Sequence, residues 1–167
     1  FAIHYLFENK ETFNQFLRNV AECTKIDGYF IGTTYDGKTI FNKLKKIDQG
    51  ETIDLYEQGK KIWEIQKLYD NNSLEDDSSS LGYEINVFQE TINQKLKEFL
   101  VNFDYLQRKM ENYGFALIDD NEAKKLGFPS GSAKFDVLFN QLQYEASNPK
   151  IANEYKLALN MTNSEKE

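Results

Sequence analysis

The order of apolar and polar positions predicts alternating helical and extended elements in the first part of the chain. Asn9 suits a helix N-cap, with Glu11 in the first turn. Apolar residues then recur at the spacing of one helix face, at Phe13, Phe16, Leu17, Val20 and Ala21. The apolar opening at residues 1–7 indicates a strand end, and residues 29–34, after a turn at Asp27-Gly28, are typical of a parallel core strand. Strand, helix, turn and strand form half of a βαβ unit.

The remaining pattern predicts four more helices, two of them weak, around a set of extended segments. Gly114 is placed to end the helix at 98–113 by adopting a positive φ. The predicted elements are a helix at 38–47, extended structure at 53–69, 81–88 and 90–92, an exposed loop at 70–80, a helix at 98–113, a strand at 115–118 and weaker helices at 133–143 and 151–159.

These elements predict a single α/β domain with a ligand cleft at one edge of its sheet. A chain of 167 residues is the usual length of one domain. In a doubly wound sheet, ligands gather beyond the carboxyl ends of the strands. Here those ends would bring His4-Tyr5 close to residues 33–37.

Composition restricts the function. Hydrophobic residues make up 40% of the chain and aromatic residues 14%, enough for a packed core. No apolar run approaches the ~20 residues that cross a bilayer, so we expect no membrane partner and an intracellular protein. The net charge of −7 argues against a surface that grips long RNA through its phosphates, because such surfaces are basic. Any contact with nucleic acid should therefore be local.

Two features have only structural interpretations. The single cysteine, Cys23, cannot form an internal disulfide, and its place in a helical pattern predicts a small buried apolar group. Glu75-Asp76-Asp77 lacks the alternating ligand spacing and the glycine of a calcium loop, so we expect a solvated charge run and no metal site.

Four motifs keep the order and spacing of a known family. They are Phe1-Ala2-Ile3-His4-Tyr5, Gly28-Tyr29-Phe30-Ile31-Gly32-Thr33-Thr34, Gly59-Lys60-Lys61-Ile62-Trp63 and Glu98-Phe99-Leu100-Val101-Asn102-Phe103. Together they resemble the RNA cap (guanine-N7) methyltransferase family, with a similarity to the capping enzymes of large DNA viruses. The third motif departs from the family in having Trp63 where a tyrosine is usual.

The resemblance implies a fold and a place within it. The fold is the Rossmann-like α/β fold of class I S-adenosylmethionine-dependent methyltransferases. Residues 1–167 would be the C-terminal part of one methyltransferase domain, with the glycine-rich cofactor loop upstream and a last hairpin downstream. We therefore expect that this segment alone neither binds the cofactor tightly nor transfers methyl groups.

The resemblance also implies the roles of individual residues. His4, Tyr5 and Glu98 would contact the cap guanine, and Phe1 and Tyr5 would line the S-adenosylmethionine pocket. Tyr35 stands where the family usually has proline after Gly-Thr-Thr, so it could give a loop on the cap side a stacking face. No catalytic acid or base is implied, because guanine N7 already carries a lone pair and the reaction depends on positioning.

Each of these residues also has an ordinary structural interpretation. Glu98 could be an exposed residue in the first turn of a helix, and His4 a hydrogen-bonded residue at a strand end. Tyr5 could be a core tyrosine, and Phe1 a plain strand residue.

The function implied is methyl transfer from S-adenosylmethionine to N7 of the 5′ guanosine cap of mRNA. Capped RNA would be the partner, and triphosphatase and guanylyltransferase domains would precede this segment in one polypeptide. A viral protein of this kind would be found in the host cytoplasm or in the virion. A small-molecule methyltransferase of the same fold and a non-catalytic partner subunit of a capping complex remain alternatives.

Overall fold

A computed structural model describes residues 2–128 and 130–145, and the chain divides into two compact units, Phe1–Ala116 and Leu117–Glu167. The first unit contains one sheet and most of the helices. Its elements are a 3-10 helix at Ile3–Phe7, helices α1 (Lys10–Cys23) and α2 (Gly37–Leu44), strands β1 (Thr52–Glu57) and β2 (Lys60–Lys67), a 3-10 turn at Ser78–Ser80, strands β3 (Glu84–Gln89) and β4 (Gln94–Phe99), and helix α3 (Phe103–Glu111).

The four strands form one antiparallel sheet in the order β1-β2-β3-β4. Gln58 and Gly59 connect the first two strands with φ angles of 49° and 80°, and a two-residue hairpin turn of type I′ needs such positive values. The extended structure predicted for 53–69 and 81–88 is therefore confirmed. The extended structure predicted at 90–92 is wrong, because these residues belong to the turn between β3 and β4.

The chain at the end of β4 alternates between two hydrophobic cores. Phe99 and Val101 belong to one core, and Leu100 belongs to the other. Successive side chains of an extended chain point to opposite sides, so this alternation fixes both packing layers. The first core adds Phe7, Phe13, Leu17, Tyr105, Leu106 and Met110, and the second adds Ile40, Phe41, Leu44, Ile65, Tyr83, Ile85 and Val87.

Side-chain caps define where the first two helices begin. The Thr12 amide donates to the Asn9 side chain at 2.9 Å, which confirms the predicted start of α1. Asp36 caps α2 by accepting from the amides of Lys38 at 3.1 Å and Thr39 at 3.3 Å. The helix predicted at 38–47 is confirmed in type, although it ends at Leu44.

The prediction that Cys23 is buried is wrong. Its side chain is exposed at the last residue of α1. The buried face of this helix contains Phe13 and Leu17. At 100° per residue, Cys23 lies about 240° around the helix from Leu17, and this turns it away from the core.

The first two segments predicted as strands are not strands. The opening segment forms the 3-10 helix at Ile3–Phe7, and residues 29–34 have no regular secondary structure. Tyr29 is 52% exposed and Ile31 is 74% exposed. A strand needs the backbone of a neighbour for its hydrogen bonds, and no strand among the described residues pairs with residues 29–34. Local composition alone therefore misled the prediction.

The helix predicted at 98–113 is correct only in its second half. Glu98 and Phe99 close β4, where they pair with Ile85 and Glu84 of β3. Helix α3 begins after Asn102, whose side chain accepts from the Tyr105 amide at 3.2 Å. Gly114 follows the helix with a φ of 86°, as predicted.

The loop at 70–80 is mostly exposed, as predicted, but it is fastened to the start of α3. The buried Asn102 amide donates at 2.9 Å to both the Glu75 carbonyl and the Asp76 carboxylate. The Asn102 side chain therefore joins the start of α3 to the loop: its oxygen accepts from the helix, and its nitrogen donates to the loop.

The second unit contains two helices among its described residues, α4 (Asp120–Lys125) and α5 (Phe135–Glu145). The helix predicted at 133–143 is confirmed by α5. The strand predicted at 115–118 is wrong, since these residues have no regular structure. The helix predicted at 151–159 lies outside the described residues.

We predict that Gly37→Ala destabilises the fold. The Gly37 amide donates to the Val101 carbonyl at 3.1 Å, and a Cβ at this position would lie 2.3 Å from that oxygen. The backbone must move to relieve this clash, and we expect the free energy of unfolding to fall by about 2 kcal/mol. Urea unfolding measures the loss.

Gly32→Ala is the matched control, because its Cβ would meet nothing closer than 3.7 Å. Equal stabilities of the two variants would show that α2 does not depend on close contact with Val101.

Candidate functional site

The structure brings His4 and Glu98 together although they are far apart in sequence. His4 Nε2 lies 3.9 Å from Glu98 Oε1, and each residue is 6% exposed. The 3-10 helix that carries His4 is held to the sheet unit by Phe7, which is fully buried and whose carbonyl accepts from the Gly82 amide at 2.9 Å. Glu98 lies near the end of β4, on the same side of the extended chain as Leu100, which belongs to the second hydrophobic core.

The buried position of Glu98 contradicts one structural alternative. Glu98 is a strand residue and not an exposed residue in the first turn of a helix. Pairing with Ile85 in β3 fixes its backbone. The carboxyl group is therefore held in a defined place inside the first unit.

Burial also sets the charge states of the pair. Loss of solvation raises the pKa of Glu98 to about 7 and lowers the pKa of His4 below its usual value. At neutral pH the imidazole is therefore uncharged. A distance of 3.9 Å is too long for a hydrogen bond, so we regard the contact as proximity of two polar groups and not as an ion pair.

Three buried polar atoms of this pair have no hydrogen-bond partner among the described residues. They are both ring nitrogens of His4 and Oε2 of Glu98. An unsatisfied buried polar atom costs about 1–3 kcal/mol. A ligand that offers complementary donors and acceptors would recover this cost, so the pair has the chemistry of a polar binding pocket.

Tyr5 lies beside His4 at the surface. The centres of their two rings are 4.1 Å apart, with a tilt of 57°, and Tyr5 is 43% exposed. This exposure contradicts the alternative of a core tyrosine. Part of the Tyr5 side chain is therefore accessible next to the imidazole.

Tyr35 lies in a polar and aromatic cluster with two residues of the sheet. Its hydroxyl accepts a 2.5 Å hydrogen bond from Gln89 Nε2, and its ring centre is 5.8 Å from that of Trp63. Burial raises the pKa of Tyr35, and the charge of Glu98 adds to the shift.

Gln89 is a candidate site residue that sequence reasoning missed. It is the cross-strand partner of Trp63. The strand register that aligns these two residues cannot be read from local patterns. The usable signal was Trp63 itself, within the motif at 59–63.

Phe1 lies outside the described residues. In the described part of the chain, no group of three His, Cys, Asp or Glu side chains is placed to hold a metal ion. Nor is any helix in those residues long and apolar enough to cross a membrane.

Comparison with known protein families identifies the chain. Residues 1–166 match the family described as the mRNA (guanine-N(7))-methyltransferase domain. The chain belongs to this family. Its mixed helix and strand structure is consistent with a methyltransferase fold, so the predicted family and α/β fold class are confirmed.

Relatives of this methyltransferase family include viral and fungal proteins. The chain is 28% identical over 127 residues to the probable mRNA-capping enzyme of Acanthamoeba polyphaga mimivirus, a match that covers 72% of this chain and 10% of the viral protein. It is 30% identical over 122 residues to the mRNA cap guanine-N(7) methyltransferase of Saccharomyces cerevisiae, covering 71% of this chain and 27% of the relative. The corresponding protein of Candida glabrata also matches at 30% identity over 122 residues.

The chain thus spans about a tenth of the viral relative and about a quarter of the yeast relatives. The matches establish the methyltransferase family of this segment. The activity, substrate and partners of the whole protein are proposals.

We predict that Glu98 makes the protein less stable as pH rises. Its pKa is about 7 in the folded protein and near 4.5 when unfolded, so between these values the folded state holds more protons. Stability therefore falls with rising pH through that window, by on the order of 3 kcal/mol if linkage is complete. Glu98→Gln should be more stable than the parent protein at pH 8 and nearly equal to it at pH 4.5.

Unfolding free energies of both proteins at the two pH values measure this effect. The comparison cancels the contribution of His4, whose lowered pKa acts in the opposite sense. Glu84→Gln, in the same sheet and partly exposed, should leave the slope unchanged. A parent and a Glu98→Gln protein with the same pH dependence would mean that Glu98 is already ionised in the folded state.

Proposed function

We propose that the protein containing this chain transfers a methyl group from S-adenosylmethionine to N7 of the 5′ guanosine cap of mRNA. The observation that carries the proposal is the buried, unsatisfied pair formed by His4 and Glu98 within a segment of the cap methyltransferase family. Both residues come from motifs by which the sequence resembles that family.

Guanine has the hydrogen-bonding groups that this pair lacks. An ionised Glu98 accepts from guanine N1–H and from the exocyclic amine, and such charge-assisted bonds are strong. Adenine cannot reproduce this pairing, since its N1 has no proton. A neutral His4 has one N–H, which donates towards the guanine oxygen.

The pKa of Glu98 fits a group that becomes charged when guanine binds. Near neutrality the free carboxyl group is partly protonated. Two donors from guanine favour the ionised form and therefore lower the pKa of Glu98 on binding. The resulting negative charge also stabilises the positive charge that the purine ring acquires as N7 is methylated.

Bound S-adenosylmethionine supplies an electrophilic methyl group, and the residues of this chain orient the acceptor. The exposed part of Tyr5 packs between guanine and cofactor, where it favours the cationic groups of the reaction. Phe1 lines the cofactor side in this proposal. N7 needs no general base, so alignment supplies most of the rate enhancement.

Tyr35 supplies a stacking surface on the cap side of the site. The contact with Gln89 and the packing against Trp63 hold the ring in place. The proline usual in the family would stiffen this loop through its fixed φ. Here side-chain contacts take over that role.

The same proposal implies the substrate, the neighbouring domains and the location of the protein. Capped RNA is the substrate, and triphosphatase and guanylyltransferase domains precede the segment in one polypeptide. The protein acts inside the cell, in the host cytoplasm or in the virion if it is viral. Residues 1–167 form the C-terminal part of the methyltransferase domain, whose cofactor loop lies upstream and whose last hairpin lies downstream.

We predict that Glu98→Ala in the full-length protein weakens cap methylation far more than cofactor binding. Loss of hydrogen bonds to a charged group lowers kcat/KM for a cap dinucleotide by about 10- to 100-fold. Calorimetric binding of S-adenosylmethionine should be nearly unchanged. Glu84→Ala, whose position in β3 pairs with Phe99, is the matched control and should retain both properties.

Equal loss of methylation and of cofactor binding would show that the variant damages the structure and not a guanine contact. A guanosine cap analogue should inhibit the parent protein, whereas the adenosine equivalent should not. Methylation of small acceptors that the cap analogue does not inhibit would identify a small-molecule methyltransferase. Absence of any methyl transfer by the full-length protein would identify a non-catalytic subunit.

We predict that the ring of Tyr35, and not its hydroxyl, contributes to cap affinity. Tyr35→Leu should raise KM for the cap dinucleotide about tenfold, since stacking of a base on an aromatic side chain contributes about 1–3 kcal/mol. Tyr35→Phe keeps the ring and should stay within about twofold of the parent. Equal effects of the two substitutions would instead assign the contribution to the Gln89 hydrogen bond.

A further inference from the structure

Helix α2 and the turn that follows it form a basic segment in an otherwise acidic chain. Residues 37–47 contain four lysines and no aspartate or glutamate, whereas the chain has a net charge of −7. Lys38 bridges Asp76 at 2.8 Å and Asp104 at 2.5 Å. The other three, at positions 43, 45 and 46, are exposed.

Most lysines of the strands, in contrast, are neutralised by neighbouring carboxylates. These pairs are Lys60 with Glu90, Lys61 with Asp54 and Glu64, Lys95 with Glu64, and Lys97 with Glu84. No such pair is formed by Lys43, Lys45 or Lys46 with any described residue. Their charges are therefore available to a ligand.

Asp48 is the acidic residue nearest in sequence, and among the described residues it forms no ion pair with these lysines. Glu51 accepts from the backbone amide of Asp48 at 2.8 Å. Asp54, on strand β1, pairs with Lys61 at 3.0 Å. Lys43, Lys45 and Lys46 thus have no ion-pair partner among the described residues, either with Asp48 or with the acidic residues of β1.

Two of these lysines line an open groove between α2 and the edge strand β1. The groove has a volume of about 490 Å³ and is lined by Thr39, Asn42, Lys43, Lys46 and Ile53. Lysine and asparagine side chains are common donors to phosphate oxygens, whereas the Thr39 hydroxyl already donates to the Asp36 carboxylate at 2.6 Å. Ile53 adds an apolar surface for a sugar or a base.

We propose that this groove, lined by Lys43 and Lys46, binds phosphates of the RNA strand that follows the cap. The inference rests on the proposed function, because it assumes that the cap guanine lies between His4, Glu98 and Tyr35. Helix α2 begins two residues after Tyr35. Its eight residues extend about 12 Å. An RNA chain that leaves the cap-binding site therefore needs only a few nucleotides to reach the groove.

The helix dipole gives a structural alternative for the same lysines. Cations near a helix C-terminus stabilise the helix, and Lys43 lies in the last turn of α2. This role predicts lower thermal stability when the charge is removed. Phosphate binding predicts weaker RNA binding with a smaller dependence on salt, so the two roles differ in what they change.

The test compares two double variants of the full-length protein. Lys43→Gln/Lys46→Gln removes two charges from the groove. Lys10→Gln/Lys25→Gln removes two charges from other exposed positions and is the matched control. Fluorescence anisotropy measures the Kd of a labelled capped oligoribonucleotide at several salt concentrations, and a separate assay measures methylation of the cap dinucleotide.

The groove variant should weaken RNA binding about fivefold. It should also reduce the slope of log Kd against log salt by about 1.4, since each phosphate contact to a single strand contributes about 0.7. The control should match the parent protein, and Lys43→Arg/Lys46→Arg should restore binding. KM for the cap dinucleotide, which has no downstream strand, should not change.

A groove variant that binds the oligoribonucleotide as the parent does, with the same salt slope, would overturn the inference. So would a change in melting temperature with no change in Kd, which is the outcome expected of the dipole role alone. Failure of the parent protein to methylate the dinucleotide would instead reject the proposed function. The anisotropy result does not depend on methylation, so the two failures remain distinct.

Discussion

The alternation of residues 98–101 is the constraint on which the rest of the first unit depends. Glu98 and Leu100 take one side of the extended chain, while Phe99 and Val101 take the other, and the two sides belong to different hydrophobic cores. A slip of one residue would exchange a carboxylate with a phenylalanine that is 6% exposed. The packing of both cores therefore also fixes the acid beside His4. The register of residues 98–101 therefore determines both the packing of the first unit and the position of the candidate site.

Sequence patterns predicted the elements whose signals are local. Asn9 and the stripe at Phe13 and Leu17 were enough for α1, because a cap and a helical period both lie within a few turns. The secondary structure of the region after Leu96 was harder to predict. Phe99, Phe103, Leu106 and Met110 follow a helical period, yet Phe99 belongs to β4. Cross-strand pairing decided its structure, and Asn102 marks the true start of the helix.

The candidate site was predictable only where the family resemblance supplied long-range information. Neither composition nor periodicity relates His4 to Glu98, and the family motifs singled out both. Gln89 was missed because its place beside Tyr35 depends on strand register. Residues 29–34 were misassigned for a related reason, since strand formation needs a partner that local sequence cannot show. Both errors concern structure that depends on contacts between residues far apart in sequence.

The fastening of the polar loop at 70–80 has a consequence for its susceptibility to proteases. Exposed loops rich in small polar residues are the usual places of proteolytic nicking, because a protease must draw the backbone into an extended conformation. Here Asn102 holds the Glu75 carbonyl and the Asp76 carboxylate at 2.9 Å, and Lys38 bridges Asp76. Cleavage at Glu75 or Asp76 would require these contacts to break first, so we expect this part of the loop to resist nicking although it is exposed.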